Sequence, residues 1–264
     1  MKTKLINPVL IMAGIILFLP FLSRAEDHPL PPVNVVAANH TNATPDCQQT
    51  LQREKVARPS EMPVYRPPLR GAPVGRVAGG TRGTGGAAPF LCTLVPNHVG
   101  LTVSGQPALY FFLAGAAKYP LEFTLIERHG INPLVEARFA PPLQAGIHTL
   151  CLENYGKKLE VGVRYKWFVA LIPDEEHRAG DILAAGEIER VAFQDKLKNR
   201  LNHVDAATAA TIYAENGIWY DALASLSQAI SSHPANRKLV RERAFLLEQV
   251  GLDKVARYEK QRLD

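Results

Sequence analysis

The residues best suited to chemistry by type are two acids beside a base, Glu175-Glu176-His177. A carboxylate next to an imidazole can move a proton in general acid–base catalysis. The surrounding stretch, residues 173–180, is typical of a solvated loop after a strand, where charged side chains face water. The sequence therefore favours a surface loop over a catalytic pair.

Patterns for a metal or an activated nucleophile are missing from the sequence. No two of the eight histidines have the i, i+4 spacing with which a helix binds zinc, and no two cysteines are close together. The Gly-x-Ser-x-Gly motif of serine hydrolases does not occur. We therefore predict a protein that is not an enzyme and that has no metal and no cofactor.

The N-terminus has the three parts of a secretory signal peptide. Lys2 and Lys4 form the basic region, residues 9–22 form the apolar region, and Ser23-Arg24-Ala25 matches the small-x-small cleavage pattern. A membrane-spanning helix needs roughly 20 apolar residues, more than this stretch provides. We predict cleavage after Ala25, export to the periplasm or the exterior, and no membrane span in the mature chain.

Cleavage removes much of the positive charge. The whole chain has 30 Lys+Arg and 25 Asp+Glu, a net charge of +5. Residues 1–25 contain three basic residues and no acid, so the remaining 239 residues carry +2. This balance does not predict binding to nucleic acid. The length suits one large domain or two small ones.

An arginine- and glycine-rich segment begins near residue 66. Gly75 and Gly80 have the spacing of a phosphate-binding loop, but Thr81 stands where that loop needs its lysine. The functional interpretation is contact of Arg76 and Arg82 with an anionic glycan, a lipid headgroup or a protein partner. The structural interpretation is a flexible arm along the domain.

Composition divides the chain into successive regions. Residues 1–25 are the signal peptide, 26–65 a disordered or extended leader, and 66–89 the arginine-rich arm. In residues 90–186 apolar and polar residues alternate, most clearly from Leu159 to Leu171. This period of two, with Pro and Gly between runs, predicts an antiparallel β-sandwich, either immunoglobulin-like or jelly-roll-like. Residues 187–264 are predicted to be helical.

The helical region has the residue spacing of a tetratricopeptide repeat. The matching positions are Ala210, Tyr213, Gly217, Trp219, Ala222, Leu226, Ala229 and Pro234. An offset of 34 leads from Gly217 to Gly251 and from Ala222 to Ala256, which indicates an incomplete second copy. So few repeats do not form an independent core, so we expect the helices to dock on the β region. The predicted fold class is α+β.

Several residues are candidates for partner contact or for a disulfide. Trp219 fills a packing position, so the adjacent Tyr220 must point elsewhere, either toward the β region or toward a partner. The candidate interaction residues are Arg76, Arg82, Tyr220, Arg241 and Phe245. Cys92 and Cys151 are the candidate disulfide in an oxidising compartment, and the alternative is that both are small buried side chains.

Several motifs occur in an order shared with a known family. They include Gly79-Gly80-Thr81-Arg82-Gly83, Tyr110-Phe111-Phe112 and Gly217-Ile218-Trp219-Tyr220-Asp221-Ala222. In these motifs the chain resembles, over residues 66–252, the bacterial exported proteins catalogued as domain of unknown function 928. The inserted Gly85-Gly86-Ala87-Ala88 departs from the pattern. The resemblance implies export and a shared fold, and it implies no activity.

These observations predict a non-catalytic interaction or scaffold module of the envelope. Its partner would be another envelope protein or an anionic glycan. The alternative is a glycan-binding module, and a hydrolase has the least support. Tyr165 and Trp167 could stack on a sugar if they were exposed, but their place on a continuous apolar face favours the core. The sequence specifies no oligomeric state.

Overall fold

The computed structural model describes residues 62–68 and 89–263. These residues form an α+β fold of eight strands and five helices. The strands are β1 (Leu91–Thr93), β2 (Gly100–Thr102), β3 (Ala108–Leu113), β4 (Leu121–Glu127), β5 (Pro133–Phe139), β6 (Gly146–Cys151), β7 (Arg164–Leu171) and β8 (Ile182–Arg190). The helices are α1 (Asp195–Leu201), α2 (Ala206–Glu215), α3 (Trp219–Ser232), α4 (Arg237–Glu248) and α5 (Asp253–Gln261). The predicted signal peptide, Arg76 and Arg82 lie outside the described residues.

The strands form two sheets, with the orders β1-β3-β6 and β2-β8-β7-β4-β5. All neighbouring strands are antiparallel except β2 and β8, which are parallel. The larger sheet is therefore mixed, and the prediction of a wholly antiparallel arrangement is wrong at this pair. Parallel strands need a long connection, and the five strands between β2 and β8 in the chain provide one.

The alternation from Leu159 to Leu171 suggests one long strand, but β7 begins only at Arg164. Gly162 has a φ of +80°, a left-handed conformation that interrupts the pleat. Val161, before this bend, is 53% exposed. The alternation therefore belongs to two segments, of which only the second is a regular strand.

Strand β8 crosses the predicted boundary between the β region and the helical region at residue 187. The middle of β8 consists of Ala184, Ala185 and Gly186, which have low strand propensity, so its sequence does not show the features typical of a strand. Its pairing with β2 on one side and β7 on the other supplies the stabilisation that its composition lacks. The first helix begins at Asp195.

One hydrophobic core includes residues from both sheets and from helices α2 to α5. Phe111 belongs to it from the smaller sheet, Trp167 from the larger sheet, and Leu223 and Leu247 from the helices. The longest described helix, α3, has 14 residues, and no helix in the described part of the chain is long and apolar enough to cross a membrane.

The turns that join α2 to α3 and α4 to α5 have the same backbone geometry. Gly217 and Gly251 each have a φ of +72°. In the first turn the N–H of Ile218 donates to the carbonyl of Tyr213 at 2.9 Å, and in the second the N–H of Leu252 donates to the carbonyl of Leu247 at 3.0 Å. This is the bonding with which a glycine ends a helix. The two glycines that the sequence relates by an offset of 34 residues thus have the same backbone conformation.

The predicted Cys92–Cys151 disulfide is inconsistent with the smaller sheet. Cys92 lies opposite Phe112 of β3, whereas Cys151 lies opposite Ala108 of the same strand. Strand β3 separates them, and they are four residues apart along it, or about 16 Å between Cα atoms. A disulfide needs about 4 to 7 Å. Cys92 is buried in β1, and Cys151 is half-buried at the end of β6.

Candidate functional site

The first turn of α3 fixes the helices to the β region through three consecutive side chains. The indole Nε1 of Trp219 donates to the carbonyl of Leu94 at 2.9 Å. A carboxylate oxygen of Asp221 accepts from the backbone N–H of Val103 at 3.1 Å. Because successive helical residues point about 100° apart, neighbours reach different β elements.

Tyr220, the middle residue of the three, is buried between helix and sheet, with 1% of its surface exposed. Its hydroxyl accepts from Trp167 Nε1 at 2.9 Å and donates to the Glu187 carbonyl at 3.0 Å. Its ring lies so close to Gly100 that a Cβ there would be 2.6 Å from it. Of its two predicted roles, docking describes its position in this structure, and its side chain is not accessible to a partner.

Burial also affects the titration of these groups. Desolvation raises the pKa of Asp221 to about 6, although hydrogen bonds from Thr102 and Val103 favour its charged form. Desolvation likewise raises the pKa of Tyr220 well above the ordinary value for a phenol. The carboxyl group of Asp221, at the junction between helices and sheet, therefore has a pKa well above that of an exposed aspartate.

Residues 62–68, which we call the strap, pack against the helices. The sequence predicts a disordered or extended leader over residues 26–65, and residues 62–65, which form no helix or strand, are held against the helices, with Tyr65 only 7% exposed. Its ring contacts the edge of Trp219, with centroids 5.0 Å apart. Its hydroxyl lies 3.2 Å from His98 Nε2. His98 Nδ1 donates to the Val99 carbonyl at 3.0 Å, since a carbonyl oxygen can only accept.

The backbone of the strap is bound by one side-chain amide. Gln249 accepts from the Tyr65 N–H with Oε1 and donates to the Pro63 carbonyl with Nε2, both at 2.8 Å. A third bond joins the Arg66 N–H to the Ala214 carbonyl at 3.0 Å. Backbone groups of this kind exist in almost any peptide, so the bonds to Gln249 do not depend on the side chains of the strap, whereas the contacts of the Tyr65 ring do.

Gly217 has a second role beside its turn conformation. A Cβ at this position would lie 2.8 Å from the Arg66 carbonyl oxygen and 3.2 Å from Pro68. At Gly251, which has the same φ, a Cβ would have no neighbour within 4 Å. The sequence predicts the turn role of Gly217, but it contains no local signal for the contact with the strap.

The other predicted residues on the helices form no part of the contact with the strap. Arg241 is exposed and Phe245 is half-buried, both on α4. Neither side chain hydrogen-bonds to the strap within the described residues, but the Phe245 carbonyl accepts from the Gln249 amide at 3.2 Å. Gln249, Tyr65 and His98 are not predictable from the sequence, because no pattern in it relates residues so far apart.

The residues first considered for chemistry do not form a site. His177 is solvent-exposed and contacts only Asp174 among the described acids, at 2.8 Å. This confirms the predicted solvated loop. Tyr165 and Trp167 are buried, as predicted, and offer no exposed surface for stacking on a sugar. Across residues 62–68 and 89–263, no group of three or more His, Cys, Asp or Glu residues is placed to hold a metal ion.

Comparison with known proteins gives a family and no function. Residues 77–259 match the family described as "Domain of Unknown Function (DUF928)". No curated protein matches the chain. A matching solved structure is a multi-domain immunophilin from Arabidopsis thaliana, with 8% identity, coverage of 61% of this chain and 97% of that chain, and a TM-score of 0.23. This similarity is too low to indicate a shared fold.

Proposed function

This chain belongs to the DUF928 family, and we propose that it is an exported, non-catalytic interaction module whose helical part binds extended peptide segments. The observation that carries the proposal is the binding of the strap by Gln249, which contacts an N–H and a carbonyl two residues apart. The strap is bound as a peptide ligand would be, through its main chain and one inserted aromatic ring. No catalytic group is needed for this role.

The helices are suited to such a role if they are tetratricopeptide-like. The 34-residue offset of the two glycine turns supports this assignment. Stacked helical repeats present extended binding surfaces, and the strap bonds to residues at the C-terminal ends of both α2 and α4, namely Ala214 and Gln249. The β region, which we propose to be sandwich-like, acts as the support. Trp219, Tyr220 and Asp221 fix the helices to it, so the binding surface is preorganised.

The strap also indicates the chemistry of a partner. Pro63 and Pro67-Pro68 flank Tyr65, and proline restricts the chain before and within it to extended conformations. Such a segment loses little conformational entropy on binding. We propose that external partners present an aromatic residue between prolines. The signal-peptide pattern supports export, so these partners would be proteins of the periplasm or the exterior.

The contribution of Gln249 is testable by hydrogen exchange at the Tyr65 amide. Gln249→Ala in the full chain removes two hydrogen bonds to the strap, each contributing about 1 kcal/mol. We expect the Tyr65 amide to exchange about 10- to 100-fold faster. Gln194→Ala is the matched control, since Gln194 is exposed and its side chain caps no helix. Unchanged Tyr65 exchange in Gln249→Ala, or equal acceleration in Gln194→Ala, would contradict the proposed role of Gln249.

A further inference from the structure

The larger sheet ends at strand β5, which pairs with β4 and with no other described strand. Its exposed residues alternate with buried ones, and Glu136 and Arg138 face solvent on either side of the buried Ala137. An edge strand presents a row of unpaired N–H and carbonyl groups, which is a template for another strand. Within the described residues, this edge is open over the length of β5.

We propose that β5 pairs antiparallel with β5 of a second copy of this chain, with Ala137 opposite Ala137 on a two-fold axis. In this register Glu136 lies opposite Arg138 of the second copy, and symmetry produces the same pair twice. Centring the axis on Glu136 or on Arg138 would instead place like charges directly opposite, which is destabilising. A shift by a single residue would place buried residues opposite exposed ones.

The existing ion pairs leave room for the new contact. Arg138 already forms two ion pairs, one through Nη1 with Glu122 on the neighbouring strand at 3.6 Å and one through Nη2 with Glu175, and Glu122 lies 2.7 Å from Arg178. Glu136 takes part in no ion pair among the described residues. Pairing of the two copies therefore extends the row Arg178, Glu122, Arg138 by Glu136 of the second copy. Arg138 then lies among three carboxylates, those of Glu122, Glu175 and Glu136 of the second copy, and its guanidinium has five N–H donors for them.

The expected association is weak and reversible. Seven residues of β5 bury less surface than the interfaces of stable dimers. Main-chain hydrogen bonds along the edge provide the affinity, and the charged pairs select the register. The dimer should therefore form at high protein concentration and become weaker as salt screens the charges. This inference does not depend on the peptide-binding proposal, because β5 is separate from the strap.

Reversing single charges on β5 tests the proposal. The whole chain is expressed, the protein is purified, and its association is measured by sedimentation equilibrium up to millimolar concentration. Glu136→Arg places arginine opposite arginine, and Arg138→Glu places glutamate opposite glutamate. Each variant alone should associate about 10-fold more weakly or not at all. Glu160→Arg, the same charge change at an exposed position away from β5, should associate like the unmodified protein.

The decisive sample is an equal mixture of the Glu136→Arg and Arg138→Glu variants. In a mixed dimer, both arginines of one copy face both glutamates of the other, so association should return to within about 3-fold of the unmodified protein. A monomer at all concentrations, reversal variants that associate normally, or a mixture that stays monomeric would each overturn the proposal.

Discussion

Replacing Tyr220 by phenylalanine tests how the helices are held on the sheet. The change removes only the hydroxyl, which bonds both Trp167 Nε1 and the Glu187 carbonyl. Trp167 is fully buried and Glu187 nearly so, so water cannot replace the lost partner at either group. The ring contacts with Gly100 remain, so the variant reports on the hydrogen bonds rather than on packing.

The magnitude follows from the two groups left without a partner. A buried donor or acceptor without a partner costs about 1 to 3 kcal/mol, so two cost about 2 to 6 kcal/mol in free energy of unfolding. For a domain of this size, each kcal/mol lowers the Tm by roughly 2 to 4 °C. We therefore expect Tyr220→Phe to lower the Tm by about 4 °C at the least.

The assay is urea unfolding followed by circular dichroism at two wavelengths, one sensitive to helix and one to aromatic packing. Tyr119→Phe is the matched control, because Tyr119 is half-buried and its hydroxyl makes no hydrogen bond within the described residues. The control should stay within about 0.5 kcal/mol of the unmodified protein. Equal stability of the Tyr220 and Tyr119 variants would refute the reasoning.

Three further predictions concern the strap, the junction and the helical part. Gly217→Ala and Gly251→Ala impose the same backbone strain at φ +72°, about 1 to 2 kcal/mol. Only Gly217→Ala should also make the strap sensitive to protease, because the new Cβ would contact the Arg66 carbonyl. Equal protease sensitivity of the two variants would contradict this. The pKa of Asp221 is raised on folding from 3.8 to about 6, so its contribution to stability is greatest below pH 4 and is lost as pH rises to about 6. The loss is at most about 3 kcal/mol, and Asp221→Asn should remove it from a pH series of urea unfolding curves; an identical pH dependence in the variant would exclude this residue. Residues 191–264 expressed alone should not melt cooperatively, because Trp219 and Tyr220 lose their β partners; a cooperative thermal transition of the monomeric fragment would show that docking is not required.

Local patterns in the sequence predicted a large part of the fold. The α+β class follows from the change between a period of two and helical composition, and the glycine turns follow from a fixed offset of 34 residues. The buried positions of Trp167 and Trp219 follow from the apolar face and from the repeat spacing. Each of these signals is contained within a single element or a single repeat.

Features that depend on distant contacts were not predictable. The strap has the composition of a disordered segment, and it is held by distant residues: the Tyr65 ring contacts His98 and Trp219, and Gln249 bonds to its main chain. Strand β8 has weak strand propensity and is stabilised by strands on both sides. The predicted Cys92–Cys151 disulfide rested on the number of cysteines, which contains no information on distance. In the structure, strand β3 lies between the two residues.

The central claim, that the helical part binds extended peptides, requires binding in trans. The chain's own strap competes at a high effective concentration, so the measurement uses the full chain with Tyr65→Ser, which weakens the strap and leaves Gln249, Trp219 and His98 intact. A fluorescein-labelled peptide with the strap sequence Met-Pro-Val-Tyr-Arg-Pro-Pro is titrated with this protein, and a scrambled peptide is the control.

Fluorescence anisotropy of the labelled peptide should rise to saturation with the Tyr65→Ser protein. The scrambled peptide should show no saturable rise, and adding Gln249→Ala to the Tyr65→Ser protein should abolish binding of the strap peptide, because the two main-chain bonds are lost. Absence of binding at millimolar protein, or equal binding with and without Gln249, would contradict the account.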